Sequence, residues 1–142
     1  MKLRLMALAS VLALLAGCGG GAYTGAGTKS LPPAEVAVLE HEHPEASHFV
    51  ISHVDGKRRG IGLFKEYVLT PGEHAIRLTG GVRVDAATSL IAEKPVEVVF
   101  NAEAGKRYLI DAGFDVPGKA WGAFVIDKST GKVVSTSRSV LE

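Results

Sequence analysis

Histidines and carboxylates crowd one short stretch of this chain, Glu40-His41-Glu42-His43-Pro44-Glu45, with His48 and His53 following. Neutral imidazoles are common ligands for zinc or copper, and alternate residues of an extended strand share a face, so His41 and His43 are expected to point the same way. A metal site needs a third ligand, which His48 or His53 supplies if the next strand folds back. The spacing matches no established zinc pattern, and polar residues around Pro44 also suit an exposed hairpin turn. Metal binding through His41, His43 and His48 and a solvated hairpin are the two expectations for this stretch.

The second chemically distinct residue is Cys18, the only cysteine of the chain. Lys2 and Arg4 form a short positive head, and residues 5–16 run without a charge. That run is shorter than the ~20 apolar residues that span a bilayer. A positive head, a short apolar body and small residues at its end make an export signal, which lies outside fold reasoning. Leu15-Ala16-Gly17-Cys18 resembles the lipobox of bacterial lipoproteins. The resemblance implies cleavage before Cys18 and a covalent lipid on it, leaving no thiol for disulfides, metal or nucleophilic catalysis. Two or more acyl chains anchor stably where one binds only marginally. Gly19, where an aspartate would signal inner-membrane retention in that family, implies delivery to the outer membrane, facing the periplasm.

Enzymatic signatures are missing. The chain has no G-x-S-x-G elbow, no phosphate-binding glycine loop ending in Gly-Lys-Ser/Thr and no H-E-x-x-H. No catalytic residue is assigned, and the chain is read as a non-enzyme. Of 16 basic residues, Lys2 and Arg4 leave with residues 1–17, so 14 bases face 15 acids. That balance provides no basic field for nucleic acid. Lys57-Arg58-Arg59 is the one basic cluster, read as a solvated loop tip with a phosphate or lipid headgroup contact as its alternative.

Residues 18–33 carry the lipidated cysteine and a glycine-rich stretch ending in Pro32-Pro33, read as a flexible tether with a reach of ~20 Å. Residues 34–142 are then one domain. Its dominant signal has period two: Val96, Val98 and Phe100 alternate with Glu97, Val99 and Asn101, and Tyr108 and Ile110 with Arg107, Leu109 and Asp111. Turn chemistry recurs at Asp55-Gly56, Pro71-Gly72, Gly80-Gly81, Ala104-Gly105, Pro117-Gly118 and Gly131. Asp55-Gly56 suits a tight hairpin with positive φ, and Pro71-Gly72 a type II turn. Strands are predicted near 35–41, 47–54, 60–69, 74–79, 95–101, 106–113, 120–127 and 132–137, with 82–94 either a strand edge or a short helical insertion. The fold class is all-β, a single antiparallel β-sandwich. His74, on the strand face of Ile76 and Leu78, is expected at the rim of the core in a structural role. Trp121, at the start of a strand, is expected in the core.

The succession His53-Val54-Asp55-Gly56-Lys57, then Leu69-Thr70-Pro71-Gly72-Glu73-His74-Ala75-Ile76-Arg77-Leu78, then Phe100-Asn101-Ala102-Glu103-Ala104-Gly105-Lys106-Arg107-Tyr108 is similar to that of small bacterial lipoproteins with a PEGA-like or DUF2846-like β-sandwich domain. The resemblance implies an envelope-associated binding or accessory module, lipid-anchored and with an envelope protein as partner. It assigns no catalytic residue, because the matching positions are turn and strand positions.

Overall fold

A pleated strand sends successive side chains to opposite faces. Accordingly Val98, Phe100 and Ala102 are buried while Asn101 is exposed, and Tyr108 and Ile110 are buried between exposed Arg107 and Asp111. The structure, a computed structural model, describes residues 21–45, 47–83, 89–91, 94–115 and 120–139. Residues 1–17, read as a signal segment, and Cys18 lie outside the described residues.

The strands are β1 (Ala22–Thr24), β2 (Ala37–Glu40), β3 (Phe49–Val54), β4 (Lys57–Arg58), β5 (Glu66–Leu69), β6 (Gly72–Arg83), β7 (Ser89–Ile91), β8 (Val96–Ala102), β9 (Arg107–Asp115), β10 (Ala120–Asp127), β11 (Lys132–Val133) and β12 (Ser135–Ser139). One sheet has the order β1-β5-β2-β9-β10-β11, and the other β12-β8-β6-β3-β4 with β7 on the end of β6. The two sheets pack together as an all-β sandwich. Its core draws Leu39, Tyr67 and Ile110 from the first sheet and Ile51, Ile76 and Val98 from the second. Fully burying a side chain of this size contributes about 1.5–3 kcal/mol, so this shared interior holds the layers together.

Two pairings are parallel, β1 with β5 and β2 with β9, so the first sheet is mixed rather than purely antiparallel. Both follow from connections that switch sheets: β2 leads to β3 in the other layer, and its neighbour β9 arrives much later in the chain. Residues 41–45 and 47–48, expected as a hairpin, belong to this crossover.

The glycine-rich segment also differs from expectation. Within residues 18–33, read as tether, Ala22–Thr24 form a strand on β5, Gly25 N donates to Val68 O at 2.8 Å, and Thr28 is buried with its hydroxyl donating to Gly25 O at 2.7 Å. A Cβ on Gly25 would meet Val68 O at 2.8 Å, so glycine here permits close backbone docking. The strand expected over 60–69 begins only at Glu66. Lys57 and Arg58, expected in a loop tip, form β4 instead. Of the ambiguous 82–94, β6 continues to Arg83 and Ser89–Ile91 pairs with it; 84–88 and 92–93 lie outside the described residues.

The Asp55-Gly56 hairpin follows its sequence signal, with φ of 50° and 78°. Both angles are positive, as a two-residue primed turn requires. On the outer face of the second sheet, Arg77, Glu97 and Arg138 stand opposite one another across β6, β8 and β12. Arg138 Nε donates to Glu97 Oε1 at 2.7 Å, and Arg77 Nη2 lies 3.6 Å from Glu97 Oε2, so one carboxylate joins two guanidinium groups across the sheet.

Candidate functional site

Ala37 and Leu39 face the interior from β2, and His41 continues their side of the strand by the same period of two. Its ring is 3% exposed and stacks on Phe49 with centroids 4.4 Å apart and planes at 17°. Its backbone N–H donates to Lys65 O at 2.9 Å, fixing the point where the chain leaves the first sheet. Two residues later the geometry reverses. His43 has φ of 51° and an exposed side chain, with Nδ1 3.6 Å from the Glu45 carboxylate. His41 and His43 therefore do not share a face, because positive φ at His43 and the turn at Pro44 end the extended run.

His48 is exposed and meets the Phe114 ring edge-on at 6.0 Å. All three predicted histidines nevertheless line one cleft of about 230 Å³. Glu42, Ser47 and Phe49 complete its near wall, and residues 109–112 of β9 form the far wall. His53, the alternative third ligand, does not line the cleft; it stands opposite Arg58 with Nδ1 2.9 Å from Ser52 Oγ. Among the described residues, no three His, Cys, Asp or Glu side chains are placed to hold a metal ion. The far wall was not legible in the sequence beyond Asp111 being the exposed member of an alternation.

Burial sets the chemistry of this cleft. Loss of water around His41, reinforced by the positive charge of Arg59, lowers its pKa to about 4 against the opposing pull of Asp111 and Glu45. The ring is therefore neutral at pH 7, with one N–H and one lone pair. Among the described residues its Nε2 has no hydrogen-bond partner. Around it the cleft offers the carboxylates of Glu42 and Asp111 and the hydroxyl of Ser47. That combination of acceptors with a neutral imidazole suits a small polar or cationic ligand more than an anion.

His74 is buried as well, but fully engaged. Its Nδ1 lies 2.7 Å from Asp55 Oδ2 and its Nε2 2.6 Å from Thr70 O. Asp55 Oδ1 also accepts from Ala75 N at 2.9 Å, so this cluster ties the β3–β4 turn to the start of β6. Trp121 is partly buried, stacked on Phe114 at 5.4 Å and 10° and packed against the core. Its Nε1 donates to Lys94 O at 3.3 Å. His74 has the structural placement its strand suggests; Trp121, expected in the core, instead packs partly buried against its edge.

Comparison with known protein families, with curated proteins and with solved structures finds no match to this chain.

Proposed function

We propose that this chain is an exported, lipid-anchored protein of the cell envelope whose β-sandwich serves as a non-catalytic binding or accessory module. The observation that carries this reading is Leu15-Ala16-Gly17-Cys18, with the chain's only cysteine directly after an uncharged run and a positive head. Acyl chains on Cys18 place the domain at a membrane, by preference the periplasmic face of the outer membrane. An envelope protein is then the natural partner. A sheet edge is a ready contact for it: β11 ends the first sheet, and Val133 is 58% exposed there.

Mass spectrometry of the mature chain, with in-cell crosslinking, tests the reading. A diacylglyceryl mass on an N-terminal Cys18, and a partner crosslinked by the wild type but lost in Cys18→Ser, are the expected results. An unmodified Cys18 in a chain that stays soluble after export refutes it.

A second reading, zinc or copper binding, draws on the single cleft shared by His41, His43 and His48. It requires the exposed rings of His43 and His48 to turn inward. Titration with zinc followed by histidine ring resonances decides it: coupled shifts of all three at equimolar metal support it, and unchanged resonances remove it.

A further inference from the structure

Ile61 is fully exposed, at 102%, and Leu63 is 53% exposed. Single exposed apolar residues are ordinary on a protein surface. Here, however, the connection between β4 and β5 is built to hold two of them out. Arg59 donates from Nε to Ile51 O and from Nη1 to Gly62 O, and its guanidinium lies 5.3 Å from the centroid of the Phe64 ring. Gly60 and Gly62, on either side of Ile61, take φ of 86° and 131°, a backbone conformation that favours glycine. The base of the loop is thus pinned to β3 while its tip stays in solvent.

Cations flank that tip. Arg58 and Lys65 are exposed toward the two ends of this connection and Arg59 adds a third positive charge at its base, with the Glu45 carboxylate near Lys65; Lys57, opposite Val54 beside the Asp55-Gly56 hairpin, lies toward the other end of the sheet. Apolar side chains flanked along the chain by lysine and arginine match the interface of an anionic bilayer, where the apolar groups reach the headgroup boundary and the cations meet lipid phosphates.

The start of β1 lies at this loop. β1 runs parallel to β5 with Ala22 opposite Glu66, so β1 begins on the side where Lys65 and Phe64 enter β5. Tyr23 packs edge-on against Phe64 at 5.9 Å and thereby fixes β1 to the loop. Cys18 is four residues upstream of Ala22, a covalent reach of at most about 14 Å. We propose that the Arg59–Lys65 loop is a second membrane contact, which seats Ile61 and Leu63 in an anionic leaflet beside the acylated Cys18. This rests on the lipoprotein reading above. Because multiple acyl chains already anchor stably, the contribution of the loop is orientation rather than affinity. The sandwich is held with its β4–β5 end down and the Glu103–Gly105 turn, by the start of β2, away from the bilayer.

The test uses the full-length lipidated chain in vesicles of phosphatidylglycerol and phosphatidylethanolamine. With the Cys18 thiol acylated, Ile61→Cys and Ala104→Cys each offer one free thiol for a spin label. Both positions are exposed, so neither change disturbs the core. Expected is a several-fold higher ratio of oxygen to water-soluble nickel collisions at 61 than at 104. The ratio at 61 should fall toward that at 104 when phosphatidylcholine replaces the anionic lipid, or in Arg58→Gln/Lys65→Gln, each basic residue near such a surface being worth roughly fivefold in partitioning. Equal ratios at 61 and 104 in protein that co-floats with vesicles overturn the loop contact while leaving the anchor intact. Failure to co-float, with no acyl mass on Cys18, overturns the anchor and the loop proposal with it.

Discussion

His41 and His74 are buried to nearly the same degree, at 3% and 7% exposure, and the sandwich treats them in opposite ways. His74 has a carboxylate on one ring nitrogen and a carbonyl on the other, and joins a turn to a strand. His41 has a ring stacked on Phe49, an Nε2 without a partner among the described residues, and a cleft beside it. Burial alone therefore does not tell a strut from a site; the count of satisfied polar atoms does. A buried donor or acceptor left unpaired costs about 1–3 kcal/mol, an expense a fold carries where the group has another use.

The largest test of this contrast is acid. In the unfolded chain His41 titrates near 6.5, whereas in the folded chain desolvation and Arg59 hold it near 4. Between those values the unfolded state binds a proton that the folded state refuses. Stability contributed by the neutral ring is complete above about pH 6.5, falls as pH drops toward about 4 and is constant below, a loss of up to ~3 kcal/mol. Urea unfolding at pH 7, 5.5 and 4 measures it against His41→Phe, which retains an aromatic ring for Phe49 and removes the titrating group. The variant should lose less stability on acidification; an identical pH slope in both proteins would break the contrast from the His41 side.

Next in size is His74→Phe. The substitution fills the space beside Phe100 but leaves Thr70 O and the Asp55 carboxylate without their donor, at a cost of about 2 kcal/mol at pH 7. The urea midpoint should fall with an unchanged slope. A midpoint within error of the wild type would show that the paired histidine is no more structural than the unpaired one.

These two histidines also mark how far the sequence reaches. Local signals were legible: the alternation of Val98 and Phe100 or Tyr108 and Ile110 located β8 and β9, and Asp55-Gly56 located a turn with both φ angles positive. The inward side of His41 was present too, since it shares parity with Ala37 and Leu39. That it lines a cleft depends on residues 109–112 arriving from β9, a parallel neighbour about seventy positions away. The docking of β1 was hidden for the same reason, because Ala22-Tyr23-Thr24 amid glycines acquires its meaning only from β5. Glycine composition predicts freedom of the chain and says nothing about a partner strand that removes it.

The smallest effect separates the charge of the His74 strut from its geometry. Asp55 does two things: it holds φ of 50° at the hairpin, and it accepts from Ala75 N through one oxygen and from His74 through the other. Asparagine tolerates the left-handed region and retains a carbonyl oxygen for the Ala75 amide. Asp55→Asn therefore removes chiefly the carboxylate facing the imidazole. With Asp55 46% exposed, water replaces part of what is lost, and the expected cost is about 1 kcal/mol, below that of His74→Phe. In the double variant the two costs should not add, since both remove the same contact. Full additivity by urea unfolding would mean that Asp55 and His74 act independently, and that the engaged histidine owes its place to Thr70 and the core rather than to the hairpin.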